Sequence, residues 1–298
     1  MPLAMAASHE SRKSTASRAV DWSLVPDEWA TDFREILEAA RDQPLLHGLD
    51  VFAGSKGISK SFVRQGLACE TFDINHNKMQ NILEPAGLRY LLSLIARVVE
   101  QGLCVFGPPC KFWIFLTLSN TQRTVANPAG SESSAMAREG NKIADTLAQI
   151  LKVCHALAIY TIVEHPAGSF LGKYLPMKQA FKTVNATEVT LKMLAFEHEC
   201  TKPTRLWGTV PWLKAFSLHA ERLLALPPPP GTAKKLATVV GSAVNGRGPE
   251  LTESAAYPAK LCDCIVKFHM DFLCRSGKRA RPSDDEEHPV LKSSRLAE

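Results

Sequence analysis

From residue 45 to about 164, short apolar runs that end in polar residues or glycine alternate with longer amphipathic stretches. This alternation is the strongest restriction on the fold. Runs that are apolar on both faces need cover on both sides, and helices lying between successive runs supply it in a mostly parallel α/β sheet. The runs LLHGLDVF, ACETFDI, LCVFG and AIYTIVE read as strands. Between them, residues 58–66, 88–101 and 136–157 carry apolar side chains at spacings of three and four, so the order is β-α-β-α-β-α-β. Upstream, WSLVPDEWATDFREILEAA reads as a turn and then a helix, with Asp27 or Thr31 as the cap. Downstream, the pattern predicts a short helix near 170–180, strands in EVTLKMLAFE and TRLWGT, a break at LPPPPG and a last helix over 257–273.

The size of the core follows from composition. With 45% apolar and 22% charged residues in 298, the chain can bury a large interior and is not wholly disordered. The expected organisation is a disordered arm over 1–20, one domain over 21–274 with its core at about 45–210, and a charged tail over 275–298. No window of about 18 uninterrupted apolar residues occurs, and the first residues lack the apolar stretch of a secretory signal, so the expectation is no membrane span and no ordinary secretion. The arm's Ser, Ala and basic content also suits an organellar transit peptide. The tail's Lys278, Arg279 and Arg281 form a basic patch compatible with nuclear import, so the expected location is nuclear or cytoplasmic rather than organellar. A net charge of +5 permits attraction to phosphate without naming a partner.

Eight cysteines spread over this length do not form a disulfide scaffold, and most lie in apolar runs, which points to a reducing compartment. The cluster Cys262, Cys264, His269 and Cys274 has residue types that bind zinc. On a helix, however, Cys262 and Cys264 point about 200° apart, which favours buried thiols.

Three segments carry chemistry. The run Leu49 to Gly57 (LDVFAGSKG) sets glycines where a buried strand turns into a helix, a geometry that lets backbone approach a ligand. The next strand ends at Asp73, where an acid in an α/β sheet commonly takes the ribose hydroxyls of a nucleoside. A rival reading is a triphosphate loop, because Gly54 to Ser61 (GSKGISKS) nearly fits G-x-x-x-x-G-K-[ST]. Ser59 stands where the second glycine should be, and no later strand ends in an obvious magnesium-binding Asp. The strand LCVF then runs into Gly107-Pro108-Pro109-Cys110, a stiff mount that presents a thiol at the carboxyl edge of the sheet. The strand after it ends Glu164-His165-Pro166, which brings an acid to the same edge, able to donate a proton or a hydrogen bond.

The order D-V-F-A-G-x-x-G, an acid after the second strand, G-P-P-C and E-x-P resembles the cytosine carbon-5 methyltransferases, over about residues 45–210 and the final helix. The stretches RTVANPAGSESSAMAREGNKIA, VEHPAGSF and KPTRLWG further resemble a divergent methylase-like group known mainly from translated dinoflagellate genomes. The resemblance implies a Rossmann-like class I methyltransferase sheet, S-adenosylmethionine as cofactor and a nucleic acid, DNA or RNA, as substrate. It implies Phe52, Gly54 and Gly57 at the cofactor's methionine end, Asp73 on the ribose, Ile74 with Asn81 and Ile82 by the adenine, and Pro108 also at the cofactor. Cys110 would add to carbon 6 of cytosine, Glu164 would hold the base at its ring nitrogen and amine, and Arg205 would support that carboxylate.

The sequence also departs from the family. Lys56 replaces a glycine, His165 replaces Asn, and Lys111 to Ile114 replaces Gln-x-Phe-Ser. The stretch between Arg205 and Leu251 is too short for the separate domain with which the DNA enzymes flip a base, an act costing a few kcal/mol. A partner protein or a single-stranded substrate would fill that role. The alternative is a catalytically impaired relative that binds or scaffolds.

Overall fold

In β1 (Leu46–Val51) every residue but His47 is buried, so the strand requires a neighbour on each edge and cover on each face. The computed structural model describes residues 18–198, 201–226 and 256–276 and supplies both. β1 pairs in parallel with β2 (Cys69–Phe72) on one edge and β3 (Val98–Phe106) on the other; β3 pairs in parallel with β4 (Tyr160–Pro166). β6 (Pro203–Gly208) runs antiparallel between β4 and β5 (Thr187–Lys192). The six-stranded order is β2-β1-β3-β4-β6-β5, an α/β sheet with one reversed strand. The chain leaves β1 for β2 on one side and returns to β3 on the other. This reversal opens a crevice at the carboxyl ends of β1 and β3, the place where open α/β sheets bind ligands.

Alternation along β3 divides the core in two. Cys104 and Phe106 join the face covered by α1 (Asp27–Ala40), α3 (Pro85–Arg97), α5 (Ala135–Ala156) and α6 (Leu175–Thr183). Leu103 and Val105 join the opposite face, under α2 (Gly57–Arg64), α7 (Leu213–Ala225) and α8, the helix Ala259–Arg275. The remaining α-helix, α4 (Leu118–Thr121), is a single turn in the loop after β3.

Several element bounds differ from expectation for identifiable reasons. The expected helix over 88–101 begins at Pro85, which suits a first helical turn, and stops at Arg97. Val98 and Val99 are β-branched and open β3, while Gln101 adopts φ +62° in an irregularity of that strand. α1 begins at Asp27 itself, with Pro26 in the cap position and two acids in the first turn facing the positive helix end. The strand expected through EVTLKMLAFE ends at Lys192, and Met193–Phe196 coils into a short 3-10 turn buried against Phe216 of α7. α7 itself was not expected, although LKAFSLHAERLLA has helical spacing. The arm also ends earlier than expected: Arg18 donates 2.6 Å to the Val98 carbonyl and also to that of Leu157, so residues 18–20 already belong to the fold. The basic patch at 278–281 lies outside the described residues. Among the described residues no helix is long and apolar enough to cross a membrane.

Candidate active site

The crevice at the carboxyl ends of β1 and β3 is walled by the segments singled out in the sequence. After β1 the backbone reverses through Phe52 at φ +59°, Gly54 at +45° and Lys56 at +60°. Two of these three are side-chain-bearing residues in a region that disfavours them, so the turn needs fastening. Asp73, buried at the end of β2, fastens it: Gly54 N donates 2.8 Å to Asp73 Oδ2, and Asn75 N donates 2.7 Å to Oδ1. His76 Nε2 lies 2.7 Å from the Gly54 carbonyl and clasps the turn from outside. Sequence reasoning missed His76; its only signal was a short sequence distance from Asp73.

The residues implied at the cofactor do not all come together. Nothing stands within 4 Å of where a Gly54 Cβ would be, and Ile74 beside Asp73 is 46% exposed, so this part of the turn is open to a flat ligand. Gly57 is not open. A Cβ there would stand 2.7 Å from Cys262 Sγ, so its bareness accommodates α8 rather than a ligand. Asn81 turns its Oδ1 back to accept from Leu83 N at 3.0 Å, and Ile82 is buried. Both line a cleft of about 700 Å³ between α1, α3 and α5 whose walls include neither the glycine turn nor the Cys110 loop. The triphosphate-loop alternative is contradicted at α2. Its N-terminal amides face the buried Asp50, whose Oδ2 accepts from Ser59 N at 3.1 Å, and a phosphate would meet that carboxyl group.

After β3, Gly107 and the buried Pro108 lead to Cys110, which opens a short 3-10 turn and is partly exposed. The next residues anchor it. Phe112 and Trp113 are buried, which accounts for one of the departures from the family pattern, Trp113 in place of Phe, by packing. Arg123, also buried, lays its guanidinium 3.6 Å from the Trp113 ring centre. It donates to the carbonyls of Phe112 (2.7 Å), Ala137 (3.1 Å) and Pro128 and to Asn141 Oδ1 (2.9 Å). One cation thereby ties the whole loop to α5. Nothing in its spacing marked Arg123 in the sequence.

Glu164 lies near the end of β4 on the face that α2, α7 and α8 cover, since its neighbour Ile162 belongs to that core. It is 8% exposed. Tyr257, just before α8, donates 3.0 Å to Glu164 Oε2, while Oε1 is buried without a hydrogen-bond partner among the described residues. Burial pushes the Glu164 carboxyl above its usual range, opposed by the Lys202 charge and the Tyr257 hydrogen bond. Burial also pushes the Cys110 thiol up, and the Glu164 charge adds to it while Lys202 opposes. Thiol, carboxyl and ammonium are thus within electrostatic reach at one mouth.

Arg205 is not the cation at that mouth. β6 pairs Arg205 with His165 and Leu206 with Glu164, and paired residues share a face, so Arg205 projects from the opposite side of the sheet. Its Nε lies 3.1 Å from Glu188 Oε1, and Trp207 Nε1 donates 2.8 Å to the same carboxylate. Lys202, just before β6, is the cation whose charge bears on both Glu164 and Cys110. His165, fully buried with both ring nitrogens unpaired, is held neutral, its pKa lowered to about 3 by burial and then by Lys202.

The sulfur-and-histidine cluster of the last helix is dispersed: Cys262 is buried against α2, Cys264 is partly exposed and Cys274 exposed. Among the described residues no group of three His, Cys, Asp or Glu could hold a metal. No protein-family model matches the chain, and no curated protein matches it.

Proposed function

We propose that the protein is an S-adenosylmethionine-dependent methyltransferase that acts on carbon 5 of cytosine in DNA or RNA, with Cys110 as nucleophile. The observation that carries this reading is that Glu164, near the end of β4, and the Cys110 loop after β3 converge: the Tyr257 hydroxyl that holds Glu164 Oε2 stands against Gly107, and the Glu164 charge bears on the thiol. The reversed order of β2, β1 and β3 supports a nucleoside ligand there.

Gly54, Ile74 and Asp73 would hold the cofactor: the open space over Gly54 and the exposed Ile74 fit a flat nucleoside, and each Asp73 oxygen retains a lone pair for a ribose hydroxyl. When bound, S-adenosylmethionine supplies an electrophilic methyl group. Cys110 would release its proton to solvent water and form a bond from Sγ to carbon 6, shifting the carbon 5–carbon 6 electron pair onto carbon 5, which would take the methyl group as the methyl–sulfur bond breaks and its electron pair stays with the departing thioether sulfur. Glu164 would hold the ring nitrogen; in its protonated form it also removes the negative charge that opposes the thiolate. As carbon 5 gives its proton to solvent water, that carbon–hydrogen pair restores the ring double bond, the bond from Sγ to carbon 6 breaks and Cys110 leaves as thiolate. Pro108 and Arg123 keep the thiol in place throughout.

The test is incubation with a radiolabelled methyl donor and separate pools of DNA, transfer RNA and protein. Label is expected in a nucleic acid pool, and Cys110→Ala should lower transfer by a factor on the order of 10³ or more while calorimetry still detects the cofactor. Label confined to the protein pool, or transfer that survives Cys110→Ala, overturns the reading. Cofactor heat without any transfer would favour a binding module, which a carboxyl already engaged by Tyr257 also suits.

A further inference from the structure

Among the described residues Glu164 is held through one oxygen. Its Oε2 accepts the Tyr257 hydroxyl at 3.0 Å, and Oε1, buried without a hydrogen-bond partner among those residues, is the atom left for a ligand. Tyr257 reaches it across ground cleared by Gly107 and packs beside Gly57. A Cβ on Gly107 would stand 2.5 Å from the Tyr257 hydroxyl oxygen, and one on Gly57 would stand 3.8 Å from the Tyr257 Cβ. The phenol therefore spans from the turn after β1 to the loop after β3, and its contact with Glu164 joins residues far apart in the chain. Around the pair lie Cys110 and Lys202 on the Glu164 side and Asp50 and Cys262 on the Tyr257 side.

We propose that Tyr257 is a positioning residue that decides which oxygen of Glu164 carries the proton. With Oε2 occupied by the phenolic hydrogen, a protonated Glu164 holds its own hydrogen on Oε1 and presents an O–H donor to an acceptor nitrogen of a bound base. Without the phenol, the hydrogen is free to sit on either oxygen, and half of the arrangements turn a lone pair toward that nitrogen. The phenol itself keeps its proton, because burial and then the Glu164 charge push its ionisation well above the ordinary value. The identity of the ligand rests on the methyltransferase reading; the hold of Tyr257 on Glu164 does not.

The experiment uses the full chain and two substitutions. Tyr257→Phe removes the hydroxyl and keeps the ring, whereas Gly107→Ala keeps the hydroxyl and displaces it. Infrared titration follows the carboxylic C=O band that Glu164→Gln abolishes. A hydrogen bond to a carboxylate favours its charged form, so both substitutions should raise the midpoint of that band, Tyr257→Phe by about one pH unit. An unchanged or lowered midpoint in Tyr257→Phe overturns the proposal. In a second arm, cytidine 5′-monophosphate is compared with its 3-deaza analogue, which lacks the acceptor nitrogen. The wild type should prefer the former by about 10-fold, and Tyr257→Phe should cut that preference about twofold, because half of its proton arrangements turn a lone pair toward the nitrogen. Equal preference in both proteins overturns the proton placement. If neither nucleotide binds while the infrared midpoint moves as expected, the methyltransferase reading fails and Tyr257 stands as the residue that governs Glu164.

Discussion

Lys202 bears on both groups at the mouth, lowering the pKa of the Cys110 thiol and of the Glu164 carboxyl. Replacing it with Met should therefore raise both. Methyl transfer at neutral pH is expected to fall about 10-fold, because each unit added to the thiol's pKa costs a tenfold loss of thiolate, and to recover partly at higher pH. A pH profile of kcat in Lys202→Met checks this; an unaltered profile would remove Lys202 from the site. At this scale the sequence was legible where chemistry is local. The Gly-Pro-Pro-Cys mount and the terminal acid of β4 could be picked out, because strand ends and prolines constrain their own neighbours. Arg205 was expected beside Glu164 and Lys202 was not considered, because the face of β6 that Arg205 occupies depends on register, and a shift of one residue exchanges the faces. Tyr257 and Arg123 act over long sequence separations that no local pattern encodes.

Among the elements, α8 completes the site by lying on α2. Cys262 fits over the bare Gly57, while Asp263 accepts from Ser61 Oγ at 2.7 Å and pairs with Arg64. Gly57→Ala should destabilise the protein by about 1–3 kcal/mol, since the added methyl meets a sulfur held in a packed helix. Cys262→Ala should remove much of that cost, so the double substitution is expected to be less harmful than the sum of the two singles. Urea titration of the four proteins measures the coupling; simple additivity would show that α8 yields without resistance. The Cys262 thiol, pushed up to about 12 by burial and then by Asp50 and Asp263, takes part as a neutral packing group. Most elements were legible because apolar period and strand length agree over β1 to β4. The failures came where two tendencies share a segment: Val98 and Val99 extend a helical pattern that their branching ends, and the apolar LAF after Lys192 serves a turn rather than a strand.

Across the whole molecule, three buried titratable groups set an opposed dependence of stability on pH. His165 and His269 are held neutral by burial, with pKa lowered to about 3 and about 4. The unfolded chain takes up these protons near pH 6.5, so their contribution is intact above that value and is lost as the pH falls toward 4. Asp50 works the other way. Burial raises its carboxyl to about 7, so the folded state retains a proton that the unfolded chain has released, and stability declines as the pH rises from about 4 to 7. Asp50→Asn should flatten that decline while keeping an acceptor for Ser59 N, and His165→Asn should shallow the acid limb. Thermal unfolding of each variant between pH 4 and 8 checks both slopes, and parallel curves for wild type and variants would refute the assignment. None of the three was legible as a titrating group, because burial of a polar side chain depends on what the rest of the chain lays over it.

Glu164 and the tyrosine that grips it are 93 positions apart. A ribosome emits residues in order, so a nascent chain has the means to build β1 to β4 well before the hydroxyl that completes the mouth has left the exit tunnel. Synthesis itself thus imposes a delay: β1 to β4 can pair while Glu164 still waits for the hydroxyl that will hold it.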